Sequence, residues 1–309
     1  MQSQTIPVLN LANFVEGAAT QKSSFVKDLG NALQTYGFFA LEHHGIEPQL
    51  IQTAYRAAAA FFALSDQTKQ QYEDEALKGQ RGFIRFGKEH AKDHPAPDLK
   101  EFWHVGREGD PHLANPWPQE VPQFRSVMIA LYQQLEICAA QLLEACALWL
   151  EQPPAYFAQE VAQGSSILRI IHYPPIPENA APESLRAAPH EDINLITLLC
   201  ESTASGLELR QSDGSWLPIS SIPGQIIVDT GDMLQALSNG LLKSTTHRVI
   251  NPDNARTRRF SMPFFVHPRP GFDLTPLPVC VSKTAGAQRY PVQTAGEYLA
   301  QRLREIGLG

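Results

Sequence analysis

His190-x-Asp192, His247 and Arg259-x-Ser261 are residue types that do chemistry, and their spacing lets them do it together. With ten histidines and thirty-two acidic residues in 309 positions, a His-x-Asp/Glu arises about once by chance, so the first pair carries little alone. Its weight comes from the segment that carries it. Ile193, Leu195, Ile196, Leu198 and Leu199 form a short branched apolar run that reads as a buried strand. Residues i and i+2 of a strand share a face roughly 6.6 Å apart, so His190 and Asp192 can converge on one ion through bonds of about 2.0–2.2 Å. His247 lies in the alternating, β-branched run Ser244 to Ile250 and supplies a third ligand. Two histidines and a carboxylate with open positions are the facial triad of non-haem Fe(II) oxygenases. Zinc hydrolases use the same ligand types, so the triad leaves the metal open.

Arg259 and Ser261 share a face of an expected strand reaching Val266, with Phe260 packing the other way. A guanidinium grips a carboxylate through two parallel hydrogen bonds and a hydroxyl adds a third, which suits a small dicarboxylate beside the metal. In a chain of formal charge −7, an anionic cosubstrate needs such a local cation. The plainer alternative is a surface arginine and a strand serine.

The elements that must position these groups change character along the chain. Phe25, Leu29 and Leu33 predict a helix stopped at Gly37, and Pro48 opens a second helix through Leu64. Residues 79–118, rich in Gly, Pro, His and charge, read as a loop or lid. Val127 to Leu150 is apolar but interrupted by Gln133, Gln134, Glu136, Gln141 and Glu144, an amphipathic helix rather than a membrane span. From Ile167 onward, short apolar runs alternate with turns such as Pro223-Gly224 and Asn239-Gly240, the rhythm of a sandwich or jelly roll. Ala295 to Ile306 returns to helix.

Other chemistry-bearing residues have plainer readings. Glu101-x-x-His104 has di-iron spacing, but such sites need two copies and two further Glu on long helices. His43-His44 suits a turn before Gly45, Asp232 a turn cap, and Arg248 a structural ion pair. Cys138, Cys146, Cys200 and Cys280 lack metal or redox spacing and read as small buried apolar residues. With no phosphate-cradling glycine loop and no basic–aromatic cluster, nucleotide and nucleic-acid binding are not expected. Met1 to Gln4 lack a basic start and apolar continuation, so a cytoplasmic protein with no membrane contact is the expectation, with a monomer as the default.

Taken in order, the fragments resemble a known family. Tyr36-Gly37-Phe38-Phe39 leading to His43-His44-Gly45-Ile46, His172-Tyr173-Pro174-Pro175, His190-Glu191-Asp192, Gly231-Asp232-Met233-Leu234, Ser238-Asn239-Gly240, His247-Arg248-Val249 and Arg259-Phe260-Ser261 are similar to the isopenicillin N synthase-like group of 2-oxoglutarate- and Fe(II)-dependent dioxygenases. The resemblance spans nearly the whole length. It implies a mainly β chain with α additions: a double-stranded β-helix (jelly-roll) core flanked by helices. It divides the chain into an N-terminal α/β region, 1–118, and the long helix, jelly-roll core and C-terminal helix, 119–309. It further implies Fe(II) on His190, Asp192 and His247, and the distal carboxylate of 2-oxoglutarate on Arg259, Ser261 and Tyr173. The activity it implies is O2-dependent oxidation of a small organic molecule, chiefly hydroxylation, with release of succinate and CO2. Many relatives carry Asn two residues before that Tyr; here it is Ile171. An oxidase independent of 2-oxoglutarate, a metal hydrolase and a non-catalytic jelly-roll binding protein are the alternatives. Arg81, Phe83 and Arg85, with parts of 93–107, are the candidate substrate contacts.

Overall fold

The computed structural model of the chain describes residues 5–92, 96–110, 113–181, 183–220 and 222–306. Met1 to Gln4, and residues 93–95 and 111–112 of the expected lid, lie outside them. The N-terminal part runs β1 (Val8–Asn10), α1 (Ala12–Val15), α2 (Ala19–Thr35), β2 (Phe38–Glu42), α3 (Pro48–Phe62), α4 (Asp66–Gln70), β3 (Gly82–Ile84) and β4 (Glu101–Gly106). Next come α5 (Gln123–Trp149), α6 (Ala158–Ala162), β5 (Ile167–Tyr173), β6 (Ala187–His190), β7 (Ile196–Leu199), β8 (Leu207–Arg210), β9 (Trp216–Pro218) and β10 (Ile226–Thr230). The chain closes with α7 (Asp232–Leu237), β11 (His247–Val249), β12 (Arg259–Ser261), β13 (Pro263–Val266), α8 (Pro278–Lys283) and α9 (Ala295–Glu305).

The strands form a nine-stranded sheet, β1-β2-β10-β7-β13-β5-β4-β3 with β12 also on β5, and a four-stranded sheet, β6-β11-β8-β9. Period-two alternation gives the large sheet two cores. On β2, Phe39 and Leu41 join the helix-side core, whereas Phe38 and Ala40 join a second cluster that includes Leu207, Leu209 and Val249 of the small sheet. β5 alternates likewise, with Leu168 and Ile170 toward the helices and Ile171 and Tyr173 toward the small sheet. This is the double-stranded β-helix: sheet on sheet, with helices covering the outer face of the larger one. α5 packs on both α2 and α3. Strands from 1–118 and from 119–309 share the large sheet.

The expected helices form, each within a few residues of its sequence signals. Gly37, at φ 72°, stops α2 in a left-handed turn. The stretch 79–118, expected as a loop, instead contains β3 and β4, and every residue of β4 is buried. Its strand pattern is hidden because Glu101 and His104 are buried with partners: Glu101 takes Lys69 Nζ and His172 Nδ1, each at 2.8 Å, and His104 Nδ1 lies 2.6 Å from Gly79 O. Residues i and i+3 of a strand point to opposite faces, so Glu101 and His104 cannot share a metal.

Candidate active site

Strand pairing brings the histidines together. His190 ends β6, His247 begins β11, and the two are direct antiparallel partners with ring centroids 4.4 Å apart. Asp192 arrives differently from expectation: β6 stops at His190, and residues 191–195 cross from the small sheet to β7 of the large one, so His190 and Asp192 do not share a strand. The crossing is fixed by the start of α7, where Asp232 N donates to Asp192 O at 2.7 Å and Met233 N to Asn194 O at 3.1 Å. These are N–H groups a helix start leaves without internal partners.

The ligating atoms of His190, Asp192 and His247 lie within 4.8 Å of one another. His190 Nε2 is 4.0 Å and His247 Nε2 is 3.7 Å from Asp192 Oδ1. Each histidine turns Nδ1 to a backbone carbonyl, His190 to Ala188 at 2.7 Å and His247 to Thr245 at 3.2 Å. That contact protonates Nδ1 and leaves the Nε2 lone pair facing the centre, the tautomer a metal needs. Burial, and then His247, push the His190 imidazole down to about 4, so it is neutral and able to ligate at neutral pH. Thr197 donates its hydroxyl to Asp192 Oδ2, leaving Oδ1 toward the histidines. The donor set, its tautomers and its charge fit an Fe(II) ion.

Arg259 and Ser261 share the inner face of β12. The strand ends there, and Pro263 to Val266 form β13 rather than continuing the expected single strand. Arg259, 1% exposed, sits 5.0 Å over the Tyr173 ring, its direct partner across the β5–β12 ladder. Its Nη1 donates to Ser261 Oγ at 3.1 Å and its Nε to Ala204 O at 3.1 Å. Phe260, on the other face, stacks on His172 at 4.7 Å. A cavity of ≈60 Å³ runs from Arg259, Ser261 and Tyr173 to His190, Asp192 and His247. Ile171 lines it opposite Ser261 and adds only an apolar wall. A second cavity, ≈100 Å³, also reaches His190 and Asp192 and adjoins the first along Lys100, Arg169 and Phe265.

Two family models match this chain: "non-haem dioxygenase in morphine synthesis N-terminal" over residues 6–120 and "2OG-Fe(II) oxygenase superfamily" over residues 164–268. A protein from Caulobacter crescentus assigned to the 2OG-Fe(II) oxygenase family is 39% identical, with a TM-score of 0.85 over 97% of this chain and 98% of that one. The chain belongs to the 2OG-Fe(II) oxygenase superfamily. A Neurospora crassa protein, solved at full length with alpha-KG, superposes on this oxygenase with a TM-score of 0.89 at 29% identity, covering 98% of this chain and 97% of that one. A further structure of the same Neurospora crassa protein holds alpha-KG and thymine. A "2-oxoglutarate-Fe(II) type oxidoreductase" of Aspergillus fumigatus is 28% identical over 97% of this chain and 93% of its own length. The oxygenase is thus a 2-oxoglutarate-dependent dioxygenase, an oxidoreductase using Fe(II), 2-oxoglutarate and O2 on a small molecule. The hydrolase, binding-protein and 2-oxoglutarate-independent alternatives are disfavoured.

The substrate contacts expected from sequence need correction. Arg81, Phe83 and Arg85 line neither cavity at the triad. Alternation along β3 turns Phe83 away from it: Phe83 packs on Phe61 and Phe62 in the helix-side core, while Ile84 joins the inner cluster. Arg81 is buried against Gln80 O and Asp110, and Arg85 pairs with Glu73 at the surface. The oxygenase instead lines its larger cavity with Glu89, Lys100, His104, Arg169 and His267. Only Arg169 is on a strand the sequence made obvious, and an arginine there reads as an exit to solvent. Arg248 and Asp232 are structural. Arg248 pairs with Glu208 at 2.7 Å over the Trp216 ring, and Asp232, rather than capping with its side chain, accepts from Tyr298 of α9 at 2.6 Å.

Proposed function

We propose that His190, Asp192 and His247 hold the Fe(II), that Arg259, Ser261 and Tyr173 take the distal carboxylate of 2-oxoglutarate, and that the outcome is hydroxylation of a small organic molecule. When bound, iron with 2-oxoglutarate and O2 supplies the oxidising power, releasing succinate and CO2. The chain's own residues bind and orient. The Ala188 and Thr245 carbonyls fix the two imidazoles, and Thr197 fixes the carboxylate. Arg259 provides the counter-charge at the far end of the ≈60 Å³ cavity, and Ile171, Leu207 and Val249 wall it against water. The observation that carries the reading is this one cavity, with the triad at one end and a buried guanidinium at the other. The mild net charge of −7 suits a monomeric cytoplasmic enzyme with neither nucleic-acid nor membrane partners, a reading that light scattering and fractionation test.

Anaerobic titration of the metal-free protein with Fe(II) and then 2-oxoglutarate is the test, followed by the visible metal-to-ligand charge-transfer band. The band is expected in the wild type and weakened in Arg259→Ala at equal ligand. Iron binding without a band, or a band indifferent to Arg259→Ala, would overturn the assignment.

A further inference from the structure

The ≈100 Å³ cavity lined by His190 and Asp192 has two unlike walls. One is apolar: Leu299, Leu303 and Ile306 at the C-terminal helix, with Ile167. The other is a buried ionic cluster around Glu89, which is 6% exposed. Lys100 Nζ and Arg169 Nη1 both go to the same oxygen of this carboxylate, Oε1, at 2.7 and 3.0 Å. Lys100 also binds Asp98 at 2.8 Å, and Arg169 Nε is engaged by His104 Nε2 at 2.6 Å. Glu89 Oε2 is buried with no partner, as is Nδ1 of His267, 7% exposed on the same cavity.

A buried acceptor without a donor costs about 1–3 kcal/mol, more when charged, so such a group in a cavity marks where a ligand's donor belongs. The two cations offset the cost of burying the carboxylate, yet they leave Oε2 without a donor in the cavity wall. At ≈100 Å³ the cavity is of the order of the roughly 150 Å³ apolar cavity that takes benzene, so it suits a small single ring.

Resting on the function proposed above, we infer that the substrate is a compact, single-ring molecule that donates a hydrogen bond from N–H or O–H to Glu89 Oε2 and lays its apolar side against Leu299, Leu303 and Ile306. Glu89 is then a specificity-determining residue. It accepts in a charge-assisted bond, the strong kind, and so selects donors over their methylated counterparts.

The test uses matched probes on the protein loaded anaerobically with Fe(II) and 2-oxoglutarate: 2-pyridone against N-methyl-2-pyridone, and phenol against anisole, by titration calorimetry. At least one donor form is expected to bind about tenfold or more tighter than its methylated partner. In Glu89→Gln the amide oxygen stays with Lys100 and Arg169, so the amide nitrogen, a donor, replaces Oε2, and the preference is expected to vanish or invert. The wild-type comparison stands even if the variant folds poorly. Equal binding within both pairs, no binding by either donor form, or a preference unchanged in Glu89→Gln overturns the inference. The charge-transfer band in the same samples separates the two claims: a normal band with no discrimination sinks this inference alone, whereas no band removes the function it rests on and this inference with it.

Discussion

Arg259 and Thr197 act at opposite ends of the proposed cosubstrate, and substituting each separates their roles. Arg259→Lys keeps the charge but loses the planar fork, so one charge-assisted bond worth about 1.5–3 kcal/mol is lost. The dissociation constant of 2-oxoglutarate is expected to rise roughly 10- to 150-fold with Fe(II) affinity unchanged, read from paired anaerobic titrations. An Arg259→Lys protein that binds 2-oxoglutarate as the wild type does would mean the guanidinium is structural. Thr197→Val keeps the shape but removes the donor to Asp192 Oδ2, freeing the carboxylate to rotate. Partners of metal ligands typically carry about 10- to 100-fold in metal affinity, and a loss in that range is expected in Fe(II) titrations. An unchanged iron affinity would show that the loop alone holds Asp192. His190, Asp192, His247 and Arg259 were singled out by type and by their order along the chain, although the shared strand expected of the first pair does not form. Thr197 was not, because a threonine in a β-branched run already has a sufficient reason to be there.

Among elements, the crossing at residues 191–195 does most to build the triad, and its anchor is the tight start of α7. Gly231 N donates to Leu195 O at 3.0 Å, and a Cβ at Gly231 would lie 2.1 Å from Asn194 O. That neighbour is backbone and cannot swing aside, so Gly231→Ala must displace the loop carrying Asp192. Overpacking of this kind costs about 1–3 kcal/mol, expected as a lower thermal midpoint together with weaker Fe(II) binding. If the midpoint falls and iron affinity does not, the loop adjusts independently of α7. The sequence implied a continuous strand through Asp192 because its branched residues are contiguous with it. The break follows from a change of sheet, which only the pairing partners reveal. β4 was missed for the opposite reason, its strand buried on both faces but carrying charged residues that read as solvent-facing until Lys69, His172 and Arg169 supply their partners.

For the whole molecule, the jelly roll was legible from turn spacing and fragment order, whereas the polar cavity wall was not, since it assembles from β4, β5, the stretch before β4 and the segment after β13. That wall also couples stability to pH. Burial pushes the His267 imidazole down to about 4; Asp192 opposes the shift and Arg169 adds to it. A histidine of lowered pKa is neutral in the folded state, so as pH falls below the ordinary value of about 6.5 the unfolded chain takes up the proton first and is favoured. His267 therefore costs nothing above that value, and its penalty grows by about 1.4 kcal/mol per pH unit until the folded imidazole itself titrates near 4. Burial also holds the Asp229 and Asp232 carboxyls above their ordinary range, which ties stability to pH as well, so the His267 contribution is read as a difference. Urea unfolding of metal-free wild type and His267→Asn at pH 7.5 and pH 5 is expected to show the variant gaining about 2 kcal/mol relative to the wild type at the lower pH. A gap that stays constant between the two pH values would mean that His267 takes up its proton as readily in the fold as in the unfolded chain.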